Sequence, residues 1–116
     1  MDRTTTVGGL KDLVRRFVRQ RAWEQFHTPK NLAMGIAVEA AELMEVFQWV
    51  DGASSGDLLR RPQVRRAAQE ELADVVIYCL AFANRAGLDI AGAVRFKLSQ
   101  NRRKYPVRTS RGKAQP

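Results

Sequence analysis

Two pairs of acidic residues stand out because each lies on the apolar side of a helix-forming segment. Glu39 and Glu42 are three residues apart, and Glu71 and Asp74 repeat that spacing further along the chain. At about 100° per residue, Glu39 and Glu71 each fall inside an apolar stripe, and the second acid of each pair flanks it. The stripes consist of Leu32, Ile36, Leu43, Val46, Phe47 and Val50, and of Val64, Val75, Tyr78 and Phe82. If the two stripes face each other, four carboxylates converge on one partly buried site.

A cluster of four carboxylates is costly unless something neutralises it. Like charges about 4 Å apart repel by several kcal/mol in a reduced dielectric, so raised pKa values, partner cations or a bound metal are needed. No Lys or Arg lies inside either stripe. Ligand sets made only of oxygen suit hard cations, so we expect Mg²⁺, or Mn²⁺, to be held together with substrate phosphates. The alternative is that both pairs are ordinary surface features of helices.

Helices must position these acids, because no segment alternates apolar and polar residues with the two-residue period of a β-strand, and the sequence contains no internal repeat. Its most frequent residues also favour helix. We predict an all-α fold, with a four-helix protomer that assembles into a helical-bundle oligomer. The predicted helices extend from Gly8 to Glu24, from Pro29 to Val50, from Pro62 to Arg85 or Ala86, and from the Asp89 cap to Tyr105, with a loop over residues 51–56.

Composition indicates one domain over residues 1–106, followed by a basic and mobile tail over residues 107–116. The chain has 116 residues and a net charge of +8, and the excess of Lys and Arg lies between Arg95 and Pro116. One Cys and one His exclude an internal disulfide and the usual zinc sites, which favours a cytoplasmic location. The apolar run from Val75 to Ala83 is shorter than the ~20 residues of a membrane span, and no signal segment is evident at the start.

Four blocks of sequence, in order, carry a resemblance to a known family. They are Trp23 to Leu32 (WEQFHTPKNL), Glu39-Ala-Ala-Glu42 with its continuation to Trp49, Gln69 to Val75 (QEELADV), and Asn101 to Val107 (NRRKYPV). The chain resembles the MazG-like all-α nucleotide pyrophosphohydrolases, and more narrowly their dCTP pyrophosphatase branch. The resemblance covers nearly the whole chain, from Leu10 to about Arg111.

The resemblance implies a reaction and a set of site residues. Glu39, Glu42, Glu71 and Asp74 would be the catalytic, Mg²⁺-binding residues of an enzyme that converts a nucleoside triphosphate to the monophosphate and pyrophosphate. The nucleoside pocket would consist of Trp23, Glu24, Gln25, Phe26, His27, Trp49 and Tyr78. Lys97, Asn101 and Lys104 share one face of the last helix, and we expect them to bind triphosphate oxygens.

Apolar residues outside the stripes predict self-association. Phe47, Trp49, Val76 and Leu80 would expose more apolar surface than a four-helix monomer can cover. We therefore expect a homo-oligomer, and the resemblance implies a tetramer built from dimers, with sites near subunit boundaries.

Three alternatives to a dCTP pyrophosphatase stay open. One is the same chemistry on another nucleotide, such as dUTP or a modified purine nucleotide. Another is a non-enzymatic nucleic-acid-binding module that uses the charge of Arg95 to Lys113, and the third is a partner-binding protein with a vestigial site. The buried acids disfavour the nucleic-acid module, because carboxylates repel phosphates unless a metal intervenes. We expect no specific nucleic acid and no membrane as partners.

Overall fold

The structure, a computed structural model, describes residues 1–114, and those residues form helices and connecting turns without a β-strand. Six α-helices and one 3-10 turn succeed one another along the chain. The helices are α1 (Val7–Gln20), α2 (Pro29–Glu45), α3 (Gly52–Leu58), α4 (Pro62–Ala86), α5 (Ile90–Lys104) and α6 (Val107–Ser110), and the 3-10 turn is Glu24–Phe26. The all-α class predicted from the sequence is confirmed.

Both predicted helices of the second half are confirmed, and their ends have the expected caps. Helix α4 begins at Pro62 and ends at Ala86, and Gly87 caps it with a φ of 66°, in the left-handed region that glycine adopts without strain. The Asp89 side chain accepts a hydrogen bond from the Gly92 amide at 3.1 Å and caps α5. The long helix that carries Glu71 and Asp74 was therefore predictable from local sequence signals.

The first half departs from the predicted boundaries. Helix α1 ends at Gln20 instead of Glu24, because Ala22 adopts a φ of 52° that no α-helix continues. Helix α2 ends at Glu45 instead of Val50. The predicted loop over residues 51–56 was wrong: Asp51 accepts a hydrogen bond from the Ser54 amide at 2.8 Å and caps a helix there. Four helices were predicted, and six are present in the described residues.

The predicted tail contains a short helix, Val107–Ser110, that the sequence analysis did not anticipate. Pro106 precedes it as the N-cap, and backbone hydrogen bonds from Thr109 and Ser110 to the Pro106 carbonyl close the turn. Residues 115 and 116 of the predicted tail lie outside the described residues. The division of the chain at residue 106 stays a prediction.

The core lies between α4 and the two helices α1 and α2. Its buried residues are Val14, Val18, Leu32, Leu80 and Ala81, with Tyr78 and Phe82 packed against them. Polar contacts fasten α1 to the end of α4: Arg15 donates to Asn84 at 2.9 Å, and Asn84 donates to the Lys11 carbonyl at 2.9 Å. Helix α4 is thus the central element, in contact with both neighbours.

Much of the apolar surface stays exposed in the single chain. Helix α5 has no buried residue, and Phe96 on it is 62% exposed. The radius of gyration is 17.1 Å, compared with about 13 Å for a compact chain of this length. Trp49 and Val76 are exposed as expected. The prediction that Leu80 is exposed was wrong, because its side chain is buried in the core and only 6% exposed.

Over residues 1–114 no single helix is long and apolar enough to cross a membrane. Helices α4 and α5 together reach the necessary length and hydropathy, but they meet at a bend of 104°.

Candidate active site

Three of the four predicted acids meet where α2 packs against α4. Carboxylate oxygens of Glu39, Glu42 and Glu71 all lie within 4.8 Å of one another. The helical period explains the meeting, since Glu39 and Glu42 share one edge of α2, and Glu71 sits on the α4 stripe that faces it. The sequence prediction of converging carboxylates therefore corresponds to an actual cluster.

Two oxygens of the cluster are left without a hydrogen-bond partner. They are Oε2 of Glu39 and Oε2 of Glu71, both buried, and no group of residues 1–114 donates to them. Burial raises the pKa of Glu39 most, with contributions from a hydrogen bond to Glu42 and from the charges of Glu42 and Asp74. The pKa of Glu71 is also raised, most strongly by a hydrogen bond with Glu42 and then by burial and by the charges of the neighbouring acids. Every charged group that acts on these two carboxylates is itself acidic.

Asp74 takes a different position from the other three acids. Its side chain is exposed and is not part of the three-carboxylate cluster. Its charge nevertheless raises the pKa of both Glu39 and Glu71, which places it at the edge of the same site. Unpaired, buried carboxylate oxygens are costly, and an oxygen-only set of this kind fits a hard divalent cation. The residues present therefore suit Mg²⁺ or Mn²⁺.

An aromatic pocket of about 260 Å³ lies further along α4. Its lining consists of Trp23, Phe26, His27, Asn31, Leu32 and Tyr78. Four of these six were predicted as nucleoside-binding residues, and the structure brings Trp23, Phe26, His27 and Tyr78 together. Tyr78 lies one helical turn beyond Asp74, a rise of about 6 Å, so α4 carries both the acidic and the aromatic parts.

Gly35 explains how Tyr78 reaches this position. A Cβ atom built on Gly35 would overlap the Tyr78 ring, with the ring's Cζ atom only 3.0 Å away. The ring therefore lies directly on the backbone of α2, where only glycine leaves room for it. The sequence analysis missed Gly35, although a glycine inside a helical pattern is the one local signal of such close packing.

The turn after α1 holds Trp23 at the mouth of the pocket. The Phe17 and Trp23 rings meet edge to face with centroids 5.8 Å apart, and the Arg21 guanidinium lies 3.7 Å from the Phe17 centroid. Gln25 donates from Nε2 to the Ala22 carbonyl at 3.1 Å, so its amide supports the turn and does not line the pocket. Glu24 lines a neighbouring cavity and pairs with Arg19 at 3.8 Å. Asn31, which the sequence analysis missed, donates to the Phe26 carbonyl at 3.1 Å.

Besides Glu24 and Gln25, four predicted residues do not line the aromatic pocket of the single chain. Trp49 follows the far end of α2 and is 89% exposed, whereas the aromatic pocket lies at the beginning of that helix. Lys97, Asn101 and Lys104 belong to α5, and none of them is among the groups that shift the pKa of the clustered acids. Lys104 instead lies 5.3 Å from the Tyr105 ring centroid.

Comparisons with known proteins identify the family of the chain. Residues 34–115 match the MazG-like family. A pyrophosphatase from Archaeoglobus fulgidus superposes with a TM-score of 0.77 at 42% identity, over 82% of this chain and 87% of that chain. The chain belongs to the MazG-like family.

Curated relatives of this MazG-like protein share its sequence over most of its length. The dCTP pyrophosphatase 1 of Rattus norvegicus is 44% identical over 109 residues, which is 94% of this chain and 64% of the relative. The dCTP pyrophosphatase 1 of Homo sapiens is 42% identical over 106 residues, or 91% of this chain and 62% of the relative. The chain thus spans less than two thirds of the length of these relatives.

Proposed function

We propose that this MazG-like protein hydrolyses dCTP, and related deoxycytidine nucleotides, to the monophosphate and pyrophosphate. The observation that carries the proposal is the cluster of Glu39, Glu42 and Glu71 beside an aromatic pocket on the same helix. Carboxylates that hold a divalent cation attract a triphosphate, and aromatic rings stack on a base. The relatives named dCTP pyrophosphatase 1 support deoxycytidine as the nucleoside.

The acids would hold Mg²⁺, with Glu39, Glu42 and Glu71 as the central ligands and Asp74 at the edge. The cation, when bound, screens the phosphate charge and acidifies a water. A carboxylate of the cluster that is not committed to the cation accepts a proton from the attacking water. The water oxygen bonds to the α-phosphorus while the bond from that phosphorus to the oxygen bridging towards the β-phosphate breaks, so pyrophosphate leaves.

The pocket residues orient the nucleotide for this reaction. The rings of Trp23, Phe26 and Tyr78 supply apolar faces for the base, and His27 and Asn31 supply polar groups beside them. We further propose that Lys97, Asn101 and Lys104 bind the triphosphate and that Trp49 contacts the nucleoside, each from a second copy of the chain. The exposure of Trp49 and the lack of buried residues on α5 support this arrangement.

A nucleotide panel tests the proposed activity. Purified protein is incubated with Mg²⁺ and each of dCTP, dUTP, dATP, dGTP and a modified purine nucleotide, and the products are separated by chromatography. We expect dCMP and pyrophosphate from dCTP, with the other nucleotides turned over at least ~10-fold less efficiently. Release of orthophosphate would contradict attack on the α-phosphorus, and equal turnover of dATP and dGTP would contradict the deoxycytidine preference.

The acid cluster predicts a link between pH, metal and stability. Because the pKa values of Glu39 and Glu71 are raised above the ordinary 4.5, both carboxyls bind protons more tightly in the folded chain. Their contribution to metal-free stability is complete below pH 4.5 and is lost as the pH rises through the raised values. A cation requires deprotonated ligands. We therefore expect Mg²⁺ to raise Tm more at about pH 7.5 than at about pH 5, measured by scanning fluorimetry at matched ionic strength. A rise in Tm on addition of Mg²⁺ that is the same at both pH values would contradict this prediction.

Oligomerisation is a second expected outcome. Exposed apolar side chains on α2, α4 and α5, including Met34, Val38, Leu72 and Phe96, need cover that one protomer does not supply. We expect a homo-oligomer, a tetramer according to the proposal, when light scattering is recorded at micromolar concentration. A mass of 13.1 kDa, that of a single chain, would contradict it.

We also propose a cytoplasmic location. The single Cys supports it, because proteins of oxidising compartments commonly carry disulfides.

A further inference from the structure

A second cavity lies between α1 and the end of α4, next to the aromatic pocket. It has a volume of about 150 Å³, several times the share of one water in the liquid. His27 lines both cavities, so the two are neighbours. The second cavity is lined by Val14, Arg15, Val18, Arg19, Glu24, His27, Ala81, Asn84 and Arg85. Of these lining residues, only His27 has a part in the proposed hydrolysis.

The lining of this cavity is cationic. Arg15, Arg19 and Arg85 supply three guanidinium groups, against the single carboxylate of Glu24. Arg15 is also paired with Asp12 at 2.7 Å outside the cavity. After both acids are counted, one positive charge is still unbalanced. The cavity therefore attracts anions, as the acid cluster attracts cations.

Two of the three arginines are available to a ligand. Arg85 takes part in none of the ion pairs between residues 1–114. Arg19 reaches Glu24 only at 3.8 Å, too long for a hydrogen bond. Arg15 is instead fixed by its hydrogen bonds to Asp12 and Asn84, so it offers a charge that is already oriented. Preorganised charge of this kind favours binding, because less side-chain freedom is lost.

The guanidinium groups lie over an apolar base but stay open to solvent. Val14, Val18 and Ala81 are buried core residues, whereas the Arg15 and Arg19 side chains are 38% and 64% exposed and Arg85 is exposed. The attraction for an anion therefore comes from the convergence of three guanidinium groups, and salt should weaken it. Guanidinium groups bind phosphate oxygens through paired N–H donors, a geometry that simple halides do not match.

We propose that this cavity is a binding site for a tetrahedral phosphate oxyanion, held chiefly by Arg85 and Arg19 with Arg15 as a fixed positive charge. The ligand is either inorganic phosphate or a phosphate group of a nucleotide. The site is separate from the acid cluster, and the proposal does not depend on hydrolysis of any nucleotide.

Calorimetric titration with sodium phosphate tests the site. The full chain is used in EDTA, so that no divalent cation recruits phosphate to the acid cluster, and sodium chloride at the same ionic strength is the reference. We expect saturable phosphate binding in the millimolar range and none with chloride. Arg85→Met keeps an apolar stem but removes the charge, and it should weaken phosphate binding at least ~10-fold. Arg85→Lys should restore part of the affinity.

Arg103→Met is the matched control, since it removes the same charge from an exposed position on α5. It should change the phosphate affinity less than ~2-fold. Equal weakening by Arg85→Met and Arg103→Met, or binding that never saturates, would overturn the proposal.

Arg85 also lies in the last turn of α4, where it complements the helix dipole. If that were its only role, Arg85→Met would lower Tm in chloride and phosphate alike and leave phosphate binding unchanged, which would also overturn the proposal.

Competition experiments distinguish the two sources of phosphate. If phosphate binds with unchanged affinity in the presence of saturating dCTP and of deoxycytidine, the ligand is inorganic phosphate. If dCTP displaces phosphate and deoxycytidine does not, the ligand is a phosphate group of the nucleotide. Displacement by deoxycytidine would show that the cavity belongs to the nucleoside site, which would overturn the proposal. Failure of the nucleotide panel would leave all these measurements interpretable, because none of them records turnover.

Discussion

Replacing Glu71 by Gln is expected to lower kcat/KM for dCTP by at least ~100-fold, because the change removes one of three clustered carboxylates. The amide keeps the shape of the side chain but loses the charge that a divalent cation requires. The loss of a cation from a phosphoryl-transfer site removes several kcal/mol of transition-state stabilisation. The measurement is steady-state hydrolysis of dCTP over a range of Mg²⁺ concentrations, since weak residual binding would reappear as a raised Mg²⁺ requirement.

Glu70→Gln provides the matched control, because Glu70 is the exposed neighbour of Glu71 on the same helix. It makes the same chemical change outside the cluster and should leave kcat/KM within ~2-fold. A second readout separates the site from the fold. In EDTA at neutral pH, Glu71→Gln should be at least as stable as the unmodified chain, since it relieves repulsion from Glu42, Asp74 and Glu39. Full activity of Glu71→Gln would refute the site assignment, and a large loss of stability in EDTA would show that Glu71 acts structurally.

The acid cluster could be predicted from sequence because it depends on helical period and on one packing contact. Once α2 and α4 are helices, the three-residue spacing places Glu39 and Glu42 on one edge, and burial of the apolar stripes turns Glu71 towards them. The packing of α2 against α4 is the one long-range step, and the two apolar stripes favour it. The ends of α4 were predictable for the same reason, since Pro62 and Gly87 act on the residues next to them.

Other features depended on contacts that no local pattern specifies. The left-handed Ala22 ends α1 early, yet alanine gives no sign of such a conformation. Helix α3 is a different case, because the Asp51 cap that favours its first turn is a local signal; the Gly and Ser content of the segment, which is typical of a loop, outweighed it in the prediction. Trp49 and Lys97 do not line the aromatic pocket of the single chain, and helical periodicity does not say how far they lie from the acid cluster. Their proposed contact with the nucleotide requires the proposed assembly of several copies of the chain.

Gly35 shows how a single residue connects packing with the site. The helix α2 would gain about 1 kcal/mol from alanine at an unobstructed position. At Gly35, however, the new methyl group would overlap the Tyr78 ring, which is a rigid group packed against the core. The ring would have to move towards the aromatic pocket that it lines. Stability and nucleotide binding should therefore change together.

Gly35→Ala is accordingly expected to destabilise the fold by up to about 2 kcal/mol, which is an overpacking cost of about 1–3 kcal/mol less a helix-propensity gain of about 1 kcal/mol. It should also raise KM for dCTP by about 10-fold, the equivalent of roughly 1.4 kcal/mol, while kcat changes less, because the acid cluster is untouched. Chemical denaturation and steady-state kinetics measure the two effects. Gly56→Ala is the control, since Gly56 lies in α3 and a Cβ there would meet no atom within 4 Å.

The decisive comparison is Gly35→Ala in a Tyr78→Ala background. With the ring gone, the overlap disappears and only the helix propensity is left, so the same substitution should become stabilising by up to about 1 kcal/mol. Such a reversal of sign isolates the contact between residues 35 and 78 from any general effect on α2. If Gly35→Ala destabilises both backgrounds equally, the Tyr78 ring does not lie on α2 as described, and the aromatic pocket loses the residue that connects it to the acid cluster along α4.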